Sequence, residues 1–134
     1  MNGATITSLV SLAGQQIPAG STLRGTIAIA ITGTQPHTYY VIFAYRIPGT
    51  VDDISGIGDS IYGSQQSIGK TLDVPIPVNS PLGLSAAVAI VAESYDPNTG
   101  AIGGVYDSRE IPIEIVSGAP PYDAEITSFS VAVV

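Results

Sequence analysis

The residues able to do chemistry in this chain are few and scattered. It has one histidine, no cysteine and no tryptophan, and eleven Asp and Glu against four Lys and Arg in 134 residues. GSQQSIGKT, residues 63–71, has the glycines and the lysine of a phosphate-binding loop, in which backbone N–H groups and a Lys surround phosphates at the start of a helix. Two features exclude that site. Five residues separate Gly63 from Gly69 where the loop needs four, and the following TLDVPIPV, with Pro75 and Pro77, cannot be the required helix. The stretch reads instead as a loop entering a strand, with Lys70 on the solvent face.

GDSI, residues 58–61, resembles the nucleophile block of an esterase family built on Gly-Asp-Ser. A serine nucleophile needs a general base. The only imidazole, His37, lies upstream of Ser60, whereas that family places its His near the C-terminus, so the order is wrong. In GTQPHT, His37 reads as a polar turn residue. The acids Asp52, Asp53, Asp59, Glu93, Asp96, Asp107, Glu110 and Asp123 gather toward expected loops. Two or three of them could meet a Ca2+ with backbone carbonyls, but no spacing matches an EF-hand, and solvation of loop ends is the simpler role. No two carboxylates are marked as a buried pair for glycoside hydrolysis. We therefore expect no enzyme: no catalytic residue, no metal and no cofactor. The tyrosines Tyr39, Tyr40, Tyr45, Tyr62, Tyr95, Tyr106 and Tyr122 could offer a sugar-stacking platform, but at least half should be packing residues, because Tyr suits a half-buried pleated surface.

Charge and composition narrow the partners. A net charge of −7 repels a phosphate backbone, which excludes nucleic acid as a partner. No stretch approaches the ~18 apolar residues needed to span a bilayer, so no membrane insertion is expected. The opening MNGATITSLVSLAG lacks the basic region and the continuous apolar run of a secretory signal. With 45% apolar residues, 15 Gly, 10 Pro and only 11% charged residues, the composition is that of a folding chain rich in turns. Its length suits one core.

The elements that must position these residues almost all have period two. In LRGTIAIAIT, Leu23, Gly25, Ile27, Ile29 and Ile31 alternate with Arg24, Thr26, Ala28, Ala30 and Thr32, a strand with one face on a core. TYYVIFAYR is apolar on both faces and reads as a central strand. IGKTLDVPIPV alternates Ile68, Lys70, Leu72, Val74 and Ile76, and its prolines confine its latter half to a sheet edge. LGLSAAVAIVAESY gathers Leu84, Ala86, Val88, Ile90 and Ala92 on one face and leads through the turn DPNTG into a hairpin. The chain returns through AIGGVYDS, and EIPIEIV points Ile111, Ile113 and Ile115 inward, Pro112 marking an edge. With the opening ATITSLVSL this makes about seven strands, the pattern of an all-β Greek-key β-sandwich. Residues 47–66 are the least regular part and read as a long loop or a short edge hairpin.

ATITSLVSLAGQQIPAGSTLRGTIAIAITG, residues 4–33, resembles the start of bacterial and archaeal Ig-like domains of the cell-adhesion type. There a first strand leads through a Pro-x-Gly turn, here Pro18-Ala19-Gly20, into a long alternating strand. The resemblance implies an Ig-like sandwich and a surface or adhesion role, and it brings no catalytic residues.

The tail AEITSFSVAVV, residues 124–134, repeats the Ala-x-Ile-Thr-Ser of the first strand. Phe129, Val131 and Val133 project to one side and Ile126, Ala132 and Val134 to the other, so the segment left bare is aggregation-prone. Pro120-Pro121 favours an extended spacer before it. We expect a sandwich domain over residues 1–117 and, over 118–134, a linker with a C-terminal extension strand. That strand, through Ile126, Phe129, Val131 and Val133, is expected to add to a sheet edge of another copy, giving a trimer or a head-to-tail polymer. Packing on its own domain stays open. By elimination this suits a structural protein of a virion, such as a capsid decoration, turret or fibre with a surface lattice as partner. The alternative is an adhesion or carbohydrate-binding module of a larger secreted protein at the cell surface, the tail then beginning the next domain.

Overall fold

A computed structural model describes residues 2–10, 16–50 and 53–118. The described residues form eight strands: β1 (Ala4–Val10), β2 (Gln16–Pro18), β3 (Thr22–Ile31), β4 (His37–Arg46), β5 (Ile54–Gly63), β6 (Gln66–Pro75), β7 (Gly83–Tyr95) and β8 (Ile102–Val116). They make a three-stranded sheet, β1-β3-β6, and a five-stranded sheet, β2-β8-β7-β4-β5. Only β4–β5 and β7–β8 are hairpins within one sheet; the other connections cross between sheets. This is the Greek-key, Ig-like β-sandwich expected from the alternation.

The core is built from the inward face of each strand. On β3, Leu23, Ile27, Ile29 and Ile31 are buried while Arg24 and Thr26 face water. They meet Tyr39, Val41, Phe43 and Tyr45 of β4, with Leu72 and Val74 of β6 and Ile113 and Ile115 of β8. β4 is central, as its two apolar faces imply: it pairs with β7 on one side and β5 on the other. β6 is an edge strand, consistent with Pro75.

The structure shows which face of β7 is inward. Ala87, Ala89 and Val91 point into the core, and Leu84 is 84% exposed. The register supplies the reason: Tyr45 stands opposite Ala87 and Phe43 opposite Ala89, so the bulk of β4 leaves room only for methyl groups beside it. The larger face of β7 turns outward, where the Arg46–Glu110 ion pair (2.6 Å) spans from β4 to β8 across it.

Two further differences concern element boundaries. Residues 54–63 are a full ten-residue strand, β5, where the sequence suggested a loop or a short hairpin. Its glycines and serines weaken the apolar signal of a strand whose partner, β4, supplies the pairing. AIGGVYDS and EIPIEIV run on as one strand, β8, which carries a bulge: Val91 faces Asp107 but Ala92 faces Val105, leaving Tyr106 as the extra residue. The opening segment also divides between sheets. β1 pairs antiparallel with β3 and β2 runs parallel to β8, so the chain before the Pro18-Ala19-Gly20 turn ties both sheets along one side.

Candidate interaction surfaces

The acids and the histidine serve the framework. The β8 bulge aims Tyr106 and Asp107 toward one end of the sandwich. There the Tyr106 hydroxyl donates to Glu93 Oε1, and the backbone N–H of Ile6, from the opposite sheet, donates to Asp107 Oδ2 at 2.8 Å. His37 opens β4 rather than sitting in a turn; its ring packs edge-on against Tyr39, with centroids 4.8 Å apart. Its Nε2 stands 2.8 Å from Glu93 Oε2 but off the line of a hydrogen bond, so the pair is an ionic contact when the ring is protonated. The Tyr39 hydroxyl accepts from the N–H of Gly3 at 3.0 Å. The Tyr106 hydrogen bond, with His37 adding less, holds the Glu93 carboxyl below the ordinary carboxylate value. The same bond, with some burial, pushes Tyr106 up to about 12.

Other acids are engaged one by one. Asp59 accepts from Lys70 Nζ at 2.6 Å and from the N–H of Ser60 at 2.8 Å, and the lysine bond is the larger cause of its lowered pKa. This pair links β5 to β6 across the open side of the sandwich. Lys70 is therefore at the rim between the sheets and not on the free solvent face. Asp73 forms a two-point pair with Arg24, and Asp96 caps the turn through the N–H of Asn98. Among the described residues no three of His, Asp and Glu come together as a metal would require, and no helix is long and apolar enough to cross a membrane. Asp52, Asp123, Tyr122 and the expected assembly residues Ile126, Phe129, Val131 and Val133 lie outside the described residues.

Two surfaces stand out among the described residues. One is the free side of β5, which pairs with β4 alone; among the described residues no strand takes its other side. Other edges are less open to pairing. β6 ends in Pro75, β8 carries Pro112 beyond the short cover of β2, and β1 is interrupted by a register shift between Ile6 and Ser8. β5 has no proline, and its only charge, Asp59, is matched by Lys70.

The second surface is the outer face of β4 and β5. The ladder between β4 and β7 stops at Tyr40 and Ala92, and the β7–β8 hairpin continues past it. Its tip comes over the sheet: a Cβ on Gly58 would lie 2.7 Å from the Tyr95 ring. Ile42 and Ala44, on the outer side of β4, are buried beneath this cover. Two hollows flank Tyr95. One, of about 270 Å³, is lined by residues that include Ile42, Ser55, Gly56, Tyr95, Pro97 and Ile102; the other, of about 220 Å³, by Tyr40, Gly58, Asp59, Ser60, Tyr95 and Pro97. The alternate glycines of β5 were the sequence signal for this close approach, since Gly inside a strand marks a place another group comes near. Of the tyrosines, Tyr39 and Tyr45 are core residues; Tyr40, Tyr95 and Tyr106 are half-buried and Tyr62 is exposed.

No family model matches this sequence, and no curated protein sequence matches it. Solved structures do resemble it in fold. The CARDB domain of the PF1109 protein from Pyrococcus furiosus, a complex with di-metal ions, aligns with a TM-score of 0.51 at 11% identity over 87% of this chain and 88% of that one. A β-glucosidase from Listeria innocua aligns at TM-score 0.56 and 8% identity over 89% of this chain, and a family 123 glycoside hydrolase from Clostridium perfringens at 0.54 and 12% over 90%. This chain spans only 17% and 28% of those two enzymes. At such identities the likeness is one of fold alone, and it agrees with the Ig-like resemblance of residues 4–33.

Proposed function

We propose that this chain is a non-enzymatic structural module that assembles with copies of itself, residues 124–134 of one copy adding as a strand to the free edge of β5 in the next. The observation that carries this is the open, proline-free, ten-residue edge of β5. Its two sides suit the tail. Ile57 and Ile61 lie on the inward side of β5, beside which Phe129, Val131 and Val133 would extend the core face. Gly56, Gly58 and Ser60 lie on the outer side, matching the small Ser128, Ser130 and Ala132. Main-chain pairing supplies affinity and the alternating side chains supply register. Ile126 would enter at the near end of the strand.

A virion surface, as a capsid decoration, turret or fibre, is the setting we put forward; the acidic, cysteine-free sequence supports it by elimination. Adhesion within a larger surface protein is a second reading, supported by sandwiches of this fold that form a fraction of longer chains. Whether the reading frame continues past Val134 into another such domain separates the two.

Light scattering on the intact chain tests the assembly itself. A defined oligomer or polymer that falls to monomer in the Phe129→Asp/Val131→Asp variant is expected; a monomeric intact chain sinks the proposal. Because the chain has no cysteine, Ser60→Cys combined with Ser130→Cys gives a clean trap. An intermolecular disulfide between those positions is expected if the tail takes the β5 edge.

A further inference from the structure

We propose that the outer face beneath the β7–β8 hairpin is a binding site for a neutral saccharide, with Tyr95 as the central platform. The two hollows share Tyr95 and Pro97 as a common wall, so they are adjacent and would take neighbouring sugar rings. Their lining has the chemistry that a pyranose needs. Tyr95 and Tyr40 present half-buried aromatic surface for the apolar faces of the ring, and each keeps a hydroxyl for hydrogen bonding. Gly58 lets the Tyr95 ring rest directly against β5, which fixes the platform in place. Ser60, on the outer side of β5, supplies a hydroxyl at the edge of the second hollow.

Charge sets the class of sugar. No Lys or Arg lines either hollow, and the one carboxylate, Asp59, is already balanced by Lys70 at 2.6 Å. Sialylated, sulfated and phosphorylated ligands would meet no cation there, whereas a neutral glycan loses nothing. The site is also braced. Tyr95 rests on Gly58, and Asp96, the next residue, holds the turn through bonds from the N–H groups of Asn98 and Gly100, at 2.9 and 2.7 Å. A pre-positioned ring avoids the ordering cost that a free side chain would carry.

The test is an array of neutral gluco-, manno-, xylo- and galacto-oligosaccharides with sialylated and sulfated glycans beside them, probed with the intact chain, followed by calorimetric titration of the strongest neutral hit. Neutral glycans are expected to bind and acidic ones not. Tyr95→Ala should weaken the titrated affinity by about tenfold or more and Tyr95→Phe by much less, since the ring stays. Tyr40→Ala should also weaken it, while Tyr62→Ala, 65% exposed and outside both hollows, should leave it unchanged. Thermal melts of each variant show which ones are folded; if Tyr95→Ala is not, Tyr40→Ala decides. No neutral hit, a preference for acidic glycans, or binding that survives in folded Tyr95→Ala or Tyr40→Ala overturns the proposal.

Discussion

The ring of Phe43 fills the space that a side chain at Gly25 would need: a Cβ there would sit 2.5 Å from Cε1 and 2.9 Å from Cε2 of that ring. The two residues face each other across the sandwich, Gly25 on β3 and Phe43 on β4, and Ala89 beside Phe43 completes the opening. Two small or absent side chains, Gly25 and Ala89, thus accommodate one large aromatic in the core. Gly25→Ala should destabilise the fold by about 1–3 kcal/mol through overpacking. In urea titrations, Phe43→Leu should cost less in the Gly25→Ala background than in the native one, because the smaller side chain makes room for the new methyl group.

The outward turn of Leu84 gives a second prediction. Leu84→Ser should change stability by no more than about 0.5 kcal/mol, as expected for an exposed site. Val91→Ala, on the opposite face of the same strand and fully buried, should cost about 1–3 kcal/mol for the lost burial and the cavity left behind. Equal costs for the two would mean that β7 faces the other way.

The bond between Tyr106 and Glu93 predicts stability loss at both ends of the pH scale. Glu93 is held below the ordinary carboxylate value, so its contribution is present above that value and fades as pH falls through the lowered one. Tyr106 is raised to about 12, so its contribution is full below the ordinary phenol value near 10 and is lost as pH rises through about 12. Tyr106→Phe should flatten both limbs of a urea-midpoint against pH curve. In an absorbance titration of the tyrosines, the same variant should lack a step near pH 12.

On the three-stranded sheet, Arg24 and Asp73 stand opposite each other in register, with Nε to Oδ1 at 2.7 Å. The arginine side chain is 70% exposed, so water and salt screen the pair. Asp73→Asn should shift the melting temperature very little, and the difference should shrink further in 1 M salt.

Much of the fold was legible in the sequence because it depends on short-range pattern. Ile27, Ile29 and Ile31 alternate with small or polar neighbours, and this alone fixes which side of β3 is wet. Pro75 and Pro112 have no N–H to give to a ladder, which places them on exposed sides of their strands. DPNTG announces its own turn through the side chain of Asp96 and the glycine that follows.

Tertiary structure decided what depends on a neighbour's size or position. The alternation of β7 offers two apolar faces, and only the register against Tyr45 and Phe43 selects the one made of alanines. β5, with glycine or serine at five of its ten positions, is held as a strand by its pairing with β4 more than by its own residues. His37 lies far in sequence from Glu93 and Tyr106 of the β7–β8 hairpin, and the three meet where a bulge in β8 re-aims Tyr106. Tyr95 covers Gly58 because a hairpin outruns its sheet and returns over it. The sequence by itself determined the class of fold and which residues avoid water; the choice among faces, edges and hollows came from packing, since each depends on shapes that meet only once the two sheets have closed.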